Sequence, residues 1–489
     1  MSFGKFVWGL RMPYLWIALI AIPLQFLIFK LQYPYPNFRG DSAAYIHAAF
    51  WHINASQWPV GYSKFLSIVH FFSHSDTLLV SIQYSLLELS ALLLFFTLKF
   101  FLKPGKIVFN LLFVFNIFNP MFLHLGNYIM SDALFISLSL LWITQLLWII
   151  YRPAPMQIFA QAILLLCLFT VRYNALFYPL VATLTLILSS LRRIVKIAGI
   201  SLSFILIGLF IGFTERAFAK LNGVRQFSPF GGWQLANNAL YMYGNIRLDD
   251  SIKAPAQFFE LDSIIRKSFT SEKRKSLMAD HLDVRDFYIW DTVNSPLWQY
   301  MKYNYKSDNS TNSYVKWITM GAFYSAYGNY LIQKYPAEYF RYFLSPNITN
   351  FFLPQIADLN YYNQGSNTLV YVESMWFDYK YLGVTRAPAD YELNIIKPYP
   401  YVMGFFNIFF LLSFIFYLLS YSYKHVGRTF NKIVILIFSF WLLNFCFSLS
   451  ASTIEIRYQV FQFILCFGFS IILMELLLRP SGEPKVLLS

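Results

Sequence analysis

The sequence predicts an all-α polytopic membrane protein with about ten transmembrane helices. Hydrophobic residues make up 57% of the 489 residues and charged residues only 13%, whereas soluble chains carry about 25% charged residues. The mean hydropathy is +0.48. Many stretches also reach the roughly 20 apolar residues that are needed to cross a bilayer. These observations exclude an ordinary soluble domain.

Ten apolar segments are predicted to span the membrane. They lie at 13–32, 77–101, 106–124, 133–151, 156–171, 174–190, 195–213, 399–422, 432–451 and 457–478. Arg172-Tyr173-Asn174 interrupts the pair at 156–190, so this stretch is either a helical hairpin or one bent helix. The spans predict three parts: an N-terminal transmembrane module at 1–213, an extramembrane domain at 214–397 and C-terminal transmembrane helices at 398–489.

The charge distribution predicts the orientation in the membrane. The net charge is +14, and outside 214–397 there are 19 Lys/Arg against 7 Asp/Glu. With the N-terminus in the cytoplasm, 14 of those 19 positive residues fall on the inner side, as the positive-inside rule requires. The positive charge therefore indicates topology and predicts no nucleic acid partner. The three cysteines lie in apolar spans and predict neither a disulfide framework nor a zinc site.

The outer face contains two long segments between spans. The loop at 33–76 is predicted to hold two amphipathic helices, at 42–52 and 62–73, that lie along the membrane surface. The segment at 214–397 is too long for a plain loop, so we expect a small, mainly α-helical extramembrane domain. Within it, the aromatic and apolar stretch at 329–356 predicts one or two interfacial helices.

Two acidic residues are predicted on the outer face, each at the start of a helix. Asp41 follows the first span, and Asp132 follows Ser131 at the start of the fourth. Either carboxylate could cap the amides of its helix. Alternatively, Asp41 is a general base that takes a proton from an acceptor hydroxyl, with Asp132 binding a cation, orienting a sugar or sharing the role of the base.

Three cations on the same face are candidates for binding phosphate. Arg172 and Arg457 lie in or beside apolar sequence, where ionisable groups are expensive and usually functional. A guanidinium grips phosphate with two parallel hydrogen bonds. Two structural alternatives remain open: a pair between Arg172 and Asp132, and a pair between Arg457 and Glu455. Lys64 lies in the first outer loop and is the third candidate.

Five short motifs resemble those of the GT-C superfamily of integral membrane glycosyltransferases. They are Gly40-Asp41-Ser42 with Tyr45, Trp58-Pro59-Val60-Gly61-Tyr62 before an amphipathic run, Met130-Ser131-Asp132-Ala133, Thr170-Val171-Arg172-Tyr173, and Glu455-Ile456-Arg457-Tyr458. The resemblance covers mainly 1–215 and 450–480. The superfamily includes lipid A aminoarabinose transferases and protein O-mannosyltransferases. Many bacterial members carry two prolines where this chain has Pro59-Val60, which argues against a close assignment to the aminoarabinose branch.

The resemblance implies a sugar transfer at the outer leaflet, from a polyprenyl-phosphate donor to a hydroxyl of a glycan, lipid or protein. Asp41 and Asp132 would be catalytic, with Asp41 as the base of an inverting reaction. Arg172, Lys64 and Arg457 would bind the donor phosphate, and Tyr45, Tyr62 and Glu455 would position acceptor or sugar. A divalent metal is left open, because metal dependence varies across the superfamily. The implied location is the bacterial inner membrane, with the site on the periplasmic face.

Two other classes of protein fit the same composition. A transporter or flippase moves lipid or solute without covalent chemistry, but such proteins often show inverted repeats and broken helices in both halves. The sequence shows neither feature clearly, and a 180-residue outer segment is unusual for a transporter. A transferase of acyl or phospho-alcohol groups would more often display a His-centred motif. No nucleotide-binding or hydrolase motif occurs in a suitable context.

Overall fold

The computed structural model describes residues 2–10, 12–38, 40–246, 254–270, 286–384 and 392–478. These residues are mostly helical, and the only β-structure among them is a few isolated bridges. The predicted all-α class is confirmed. Arg39, one of the outer-face cations of the sequence, lies outside the described residues.

The longer helices are numbered here in chain order. They are α1 (Met12–Gln32), α2 (Gly40–Phe50), α3 (Gly61–Phe72), α4 (Asp76–Leu102), α5 (Lys106–Ile117), α6 (Pro120–Gly126), α7 (Ser131–Tyr151), α8 (Gln157–Val171), α9 (Tyr178–Leu188), α10 (Arg193–Asn222), α11 (Pro229–Tyr243), α12 (Phe259–Thr270), α13 (Pro296–Asn304), α14 (Ser313–Lys334), α15 (Ser345–Phe352), α16 (Tyr371–Trp376), α17 (Tyr399–Leu419), α18 (Arg428–Ala451) and α19 (Ile456–Leu478). Shorter helical turns connect several of them, at Phe3–Lys5, Phe6–Leu10, Tyr173–Phe177, Ala256–Phe258, Phe287–Trp290, Pro336–Tyr339, Phe340–Leu344, Ala357–Asn360, Tyr362–Gly365, Asn394–Ile396 and Ser422–Lys424.

Eight helical stretches of the described chain are long and apolar enough to cross a bilayer, so the chain is an integral membrane protein. Ten spans were predicted, and the two others are the shorter apolar helices Gln157–Val171 and Tyr173–Leu188. The chain leaves the helical conformation between them, because Arg172 is extended at φ −151° and ψ 137°. The stretch at 156–190 is therefore two helices, as the hairpin alternative predicted.

The loop at 33–76 contains both predicted helices, α2 and α3, each starting one or two residues before its predicted limit. Helix α3 buries Tyr62, Leu66 and Val69 on one face. Its first residue is Gly61, where an added Cβ would lie 2.6 Å from the carbonyl oxygen of Thr170. Only a residue without a side chain lets α3 approach the end of α8 this closely. The Gly61 of the Trp58–Tyr62 motif thus places α3 beside Arg172.

Contacts divide the chain into two compact units. The first unit comprises 1–209, 352–444 and 455–489, and the second comprises 210–351 and 445–454. The extramembrane domain was predicted at 214–397, but the described residues of 352–397 belong to the first unit. The reason is a set of contacts with the first outer loop that the linear sequence does not reveal.

The segment at 357–384, here called the strap, makes those contacts. Asn363 Oδ1 accepts a hydrogen bond from the backbone amide of Phe38 at 2.6 Å. The backbone amide of Asn363 donates to Asn37 Oδ1 at 2.8 Å. The Tyr379 hydroxyl donates to Asp76. His74 Nδ1 lies 2.5 Å from Asp378 Oδ2. The strap therefore binds both ends of the loop that carries α2 and α3.

The second unit has an aromatic core between α11 and α14. Trp233 donates to the Trp317 carbonyl at 2.9 Å, and their rings stack with centroids 5.4 Å apart. The buried Asp262 on α12 is satisfied by the Tyr243 and Tyr327 hydroxyls and by Arg266, at 2.7–2.9 Å. This unit is mainly α-helical, as predicted for an extramembrane domain.

Candidate functional site

A buried network of four charged side chains lies where α7, α8 and α19 meet in the first unit. Asp132 begins α7, and its two carboxylate oxygens accept from different arginines. Arg172 Nη1 donates to Oδ1, and Arg457 Nη1 donates to Oδ2 at 3.2 Å. Arg457 Nε also donates to Glu455 Oε2 at 2.6 Å. The network unites residues that are 40 and 325 positions apart in the sequence.

The network is largely buried, and opposite charges are paired within it. The side chains of Asp132, Arg457, Glu455 and Arg172 are 3%, 6%, 11% and 13% exposed. Two guanidiniums face two carboxylates, so the burial of each charge is offset by an opposite charge. A charge left unpaired in such a place costs several kcal/mol. Both structural pairs considered for the sequence, Arg172 with Asp132 and Arg457 with Glu455, are therefore present.

The two arginines differ in how many of their donors are used. Arg457 donates through all three nitrogens, to Glu455, to Asp132 and, through Nη2, to the Tyr458 hydroxyl. Arg172 donates through Nη1 alone among the described side chains. Since a guanidinium has five N–H donors, Arg172 retains donors that a ligand could accept from. Arg172 is the better placed of the two for binding an anion.

The first outer loop joins the network through two tyrosines. The Tyr45 hydroxyl is 3.1 Å from Ser131 Oγ, and the Tyr45 ring packs edge-on against Tyr62, with centroids 5.0 Å apart. The Tyr62 hydroxyl donates to Gln83 Oε1 at 2.7 Å. Burial raises the pKa of Tyr45 to about 12, and the nearby Arg172 only partly opposes this shift. Both tyrosines are buried, and Tyr45 is protonated at neutral pH.

Asp41 lies at the first turn of α2 and is half-buried. Its negative charge acts on Arg457 and on Tyr45, so it belongs to the electrostatic surroundings of the network. Asp41 is the second residue of α2 and not the residue before it, so it is not the N-cap that the structural alternative predicted. Its negative charge in the first turn still favours the helix.

A small, partly open cavity of about 20 Å³ adjoins the network. Asp132, Arg172 and Arg457 line one part of it. The other lining residues are mostly aromatic, together with one isoleucine and three amides: Phe135, Phe177, Tyr178, Phe440, Tyr458, Phe461, Ile136, Asn174, Asn444 and Gln462. Asp41 does not line this cavity. The arrangement can hold an anionic group at the arginines beside apolar and hydroxyl-bearing parts of a ligand.

A chain of buried amides leads from the cavity into the helices. Asn444 Nδ2 donates to Gln459 at 3.2 Å and also to Gln462. Gln462 Nε2 donates to Asn407 at 2.8 Å, and Asn407 also accepts from Trp441 at 3.2 Å. Such hydrogen bonds between membrane helices contribute about 0.6 kcal/mol each. They fix α17, α18 and α19 around the cavity.

No described hydrogen bond or ion pair brings Lys64 to the network, and Asp41 is linked to it through its charge. Lys64 lies two residues after Tyr62 on α3, and side chains two apart on a helix point in different directions. It is half-buried, and no hydrogen bond or ion pair with a described side chain joins it to Asp132 or the arginines. Asp132, Arg172, Arg457 and Glu455 form one hydrogen-bonded group, and Tyr45 lies next to it through Ser131, with Tyr62 packed on Tyr45.

Sequence analysis did not identify several groups that complete the site. Tyr458 was noted only as part of a motif, although it contacts both arginines. Asn174, Asn444 and Gln462 were not singled out, although an amide in an apolar span is itself a signal. The described residues contain no group of three or more His, Cys, Asp or Glu side chains suited to a metal ion.

Comparison with protein-family models, with curated proteins and with solved structures finds no significant match to this chain. The interpretation of the site therefore depends on its residues and their geometry.

Proposed function

We propose that this protein is a membrane glycosyltransferase that moves a sugar from a polyprenyl-phosphate donor to an acceptor hydroxyl on the outer face of the membrane. The acceptor hydroxyl belongs to a glycan, a lipid or a protein. The observation that carries the proposal is the buried Asp132–Arg172–Arg457 network beside a cavity, with unused donors on Arg172. A transporter of neutral solutes has no evident need for a guanidinium held in this way.

The geometry supports different roles for the two outer carboxylates. Asp132 accepts from two guanidiniums, and accepting a proton would weaken both ion pairs. Asp132 is therefore an anchor for the arginines. Asp41 is half-buried near the network without lying between the guanidiniums, which suits a general base. Pairs of carboxylates whose surroundings differ in this way commonly divide acid–base and electrostatic roles.

The reaction is a displacement at the anomeric carbon. Asp41 takes the proton of the acceptor hydroxyl, and the acceptor oxygen forms a bond to the anomeric carbon. The bond from that carbon to the phosphate oxygen breaks, and its electron pair leaves with polyprenyl phosphate, which inverts the configuration. Arg172 hydrogen-bonds the leaving phosphate as its charge grows, which is the electrostatic contribution to catalysis. The aromatic and amide walls hold the substrate in line.

The test uses the purified full chain in lipid nanodiscs. A panel of undecaprenyl-phosphate sugars is supplied with a lipid and glycan extract as acceptor, and products are identified by mass spectrometry. We expect a new glycoside with inverted anomeric configuration and an equal amount of undecaprenyl phosphate. If proteoliposomes instead move an intact lipid-linked sugar across the bilayer and no glycoside forms with any donor, the protein is a flippase and the proposal is wrong.

A further inference from the structure

The two arginines of the network approach the same carboxylate although both are positively charged. Each arginine donates to a different carboxylate oxygen of Asp132, so the two guanidinium groups meet at one carboxylate. Like charges repel strongly where water is excluded and the effective dielectric constant is low. Asp132 and Glu455 offset this repulsion in part, but neither fixes the plane of the Arg172 guanidinium, which has one hydrogen bond to the network.

Tyr458 contacts both guanidiniums. The centre of its ring lies 4.7 Å from Cζ of Arg172 and 4.4 Å from Cζ of Arg457. Its hydroxyl also accepts from Arg457 Nη2. An aromatic face attracts cations within about 6 Å of its centre, and the attraction is larger where the cation is desolvated. One ring therefore stabilises two like charges that would otherwise separate.

We propose that Tyr458 is a positioning residue that holds the Arg172 guanidinium with its unused donors available to the phosphate of the lipid-linked donor. This inference rests on the proposed function and identifies how the phosphate subsite is kept in shape. The ring is the active part, since it contacts Arg172, whereas the hydroxyl contacts Arg457. Removal of the hydroxyl alone should therefore preserve the subsite, and removal of the ring should not.

The experiment measures lipid binding to the full chain in nanodiscs by native mass spectrometry. The probes are undecaprenyl phosphate and undecaprenol, which differ only in the phosphate. Tyr458→Leu is expected to weaken binding of undecaprenyl phosphate about tenfold, the size of a buried cation–π contact, and to leave undecaprenol binding unchanged. Tyr458→Phe is expected to restore phosphate binding to within about threefold of wild type. A merely structural role would change the affinities for both lipids equally.

Three further variants make the outcome decisive. Tyr458→Met is a second ringless variant with a flexible side chain, and it serves the same comparison if Tyr458→Leu does not fold. Tyr401→Leu, at an exposed tyrosine of α17, is the matched control and should bind like wild type. Arg172→Ala should bind the phosphate lipid at least as weakly as Tyr458→Leu.

The two hypotheses fail in different ways. Wild-type phosphate binding in Arg172→Ala would refute the proposed phosphate site itself. Weakened binding in Arg172→Ala, together with wild-type binding in both ringless Tyr458 variants, would overturn the positioning role and leave the proposed function intact. Equal loss in Tyr458→Phe and Tyr458→Leu would assign the effect to the hydroxyl and would also overturn the inference.

Discussion

At the scale of single residues, the surroundings of Asp41 and Asp132 make their roles separable by mutation. Asp132 is almost fully buried between two guanidiniums. Asp41 is half-buried at the start of a helix, with its charge acting on the network from nearby. A substitution of Asp41 should therefore affect chemistry more than folding, and a substitution of Asp132 should affect folding first.

The first prediction concerns Asp41→Asn. The amide keeps the size of aspartate and can still accept hydrogen bonds, but it cannot accept the proton of the acceptor hydroxyl. We expect normal expression and thermal stability, with sugar transfer reduced about 10²–10⁴-fold, the usual effect of a lost general base. Glu260→Gln, at the exposed first turn of α12, is the control for a lost first-turn charge and should retain transfer. Near-wild-type turnover in Asp41→Asn would assign the base to another residue.

The second prediction concerns the balance of charges in the network. Asp132→Ala leaves Arg172 buried without its carboxylate and deprives Arg457 of one of two, so we expect a loss of about 3–5 kcal/mol in the free energy of unfolding. Arg172→Ala should cost less, because Asp132 still pairs with Arg457. The double variant Arg172→Ala/Asp132→Ala should recover part of the loss. Thermal unfolding in nanodiscs measures all three variants, and additive losses would show that the pair is not coupled.

At the scale of elements, the helices could be predicted because apolar length and amphipathic spacing are local signals. Helices α2 and α3 were predicted within two residues of their observed starts. The strap could not be predicted, because its contacts join residues more than 300 positions apart. It also contains Asn363, Gln364 and Asp378 with φ values of 53–54°, a left-handed conformation that non-glycine residues adopt rarely.

The third prediction tests how closely α3 approaches α8. Gly61→Ala places a methyl group against the Thr170 carbonyl, so α3 must shift. We expect a loss of about 1–3 kcal/mol in stability and lower transfer activity, because Tyr62 moves with the helix. Gly208→Ala is the matched control: this glycine of α10 has open space where the Cβ would lie, and alanine favours the helix. Equal stability of the two variants would contradict the close approach.

The fourth prediction is a pH dependence of the strap. The His70 ring stacks on the rings of Trp376 and His74, with centroids 3.8 Å and 4.0 Å apart. Burial, and then the charge of His74, lower the pKa of His70, while Asp378 opposes them. The unfolded chain therefore binds a proton at His70 more readily than the folded chain does. The free energy of unfolding is unaffected by His70 above about pH 6.5 and falls as the pH drops below that value.

His70→Phe retains an aromatic ring for the stack and removes the titrating group. We therefore expect the wild type to lose more thermal stability than His70→Phe between pH 7.5 and pH 5.5. Hydrogen exchange of residues 371–376, corrected for the intrinsic effect of pH, should show the same difference. An identical pH response in the two proteins would exclude His70 as its source.

At the scale of the whole molecule, the sequence predicted the all-α membrane class and singled out the charged residues of the network, but not the aromatic and amide groups around them or how the site is assembled. Asp132, Arg172 and Arg457 were each recognised as unusual because charges are rare beside apolar spans. That both arginines share one carboxylate depends on helix packing between distant segments. The limits of the two compact units likewise depend on long-range contacts.

The final prediction concerns which end of the helices faces outward. Helix α4 runs from Asp76 to Leu102, and Lys103 follows it. Arg172, between the short helices α8 and α9, bonds Asp132, so the connection between these two helices lies at the same end of the molecule as Asp132. The positive-inside rule then places Lys103 in the cytoplasm and the network near the outer leaflet.

In a chain whose three native cysteines are replaced by alanine, Asn54→Cys should react with an impermeant maleimide in intact cells, and Lys103→Cys only after permeabilisation. Asn54 lies in the exposed turn after α2, which makes it the matched outer position. Labelling of Lys103→Cys in intact cells would invert the orientation, and a donor in the outer leaflet could then not reach Arg172.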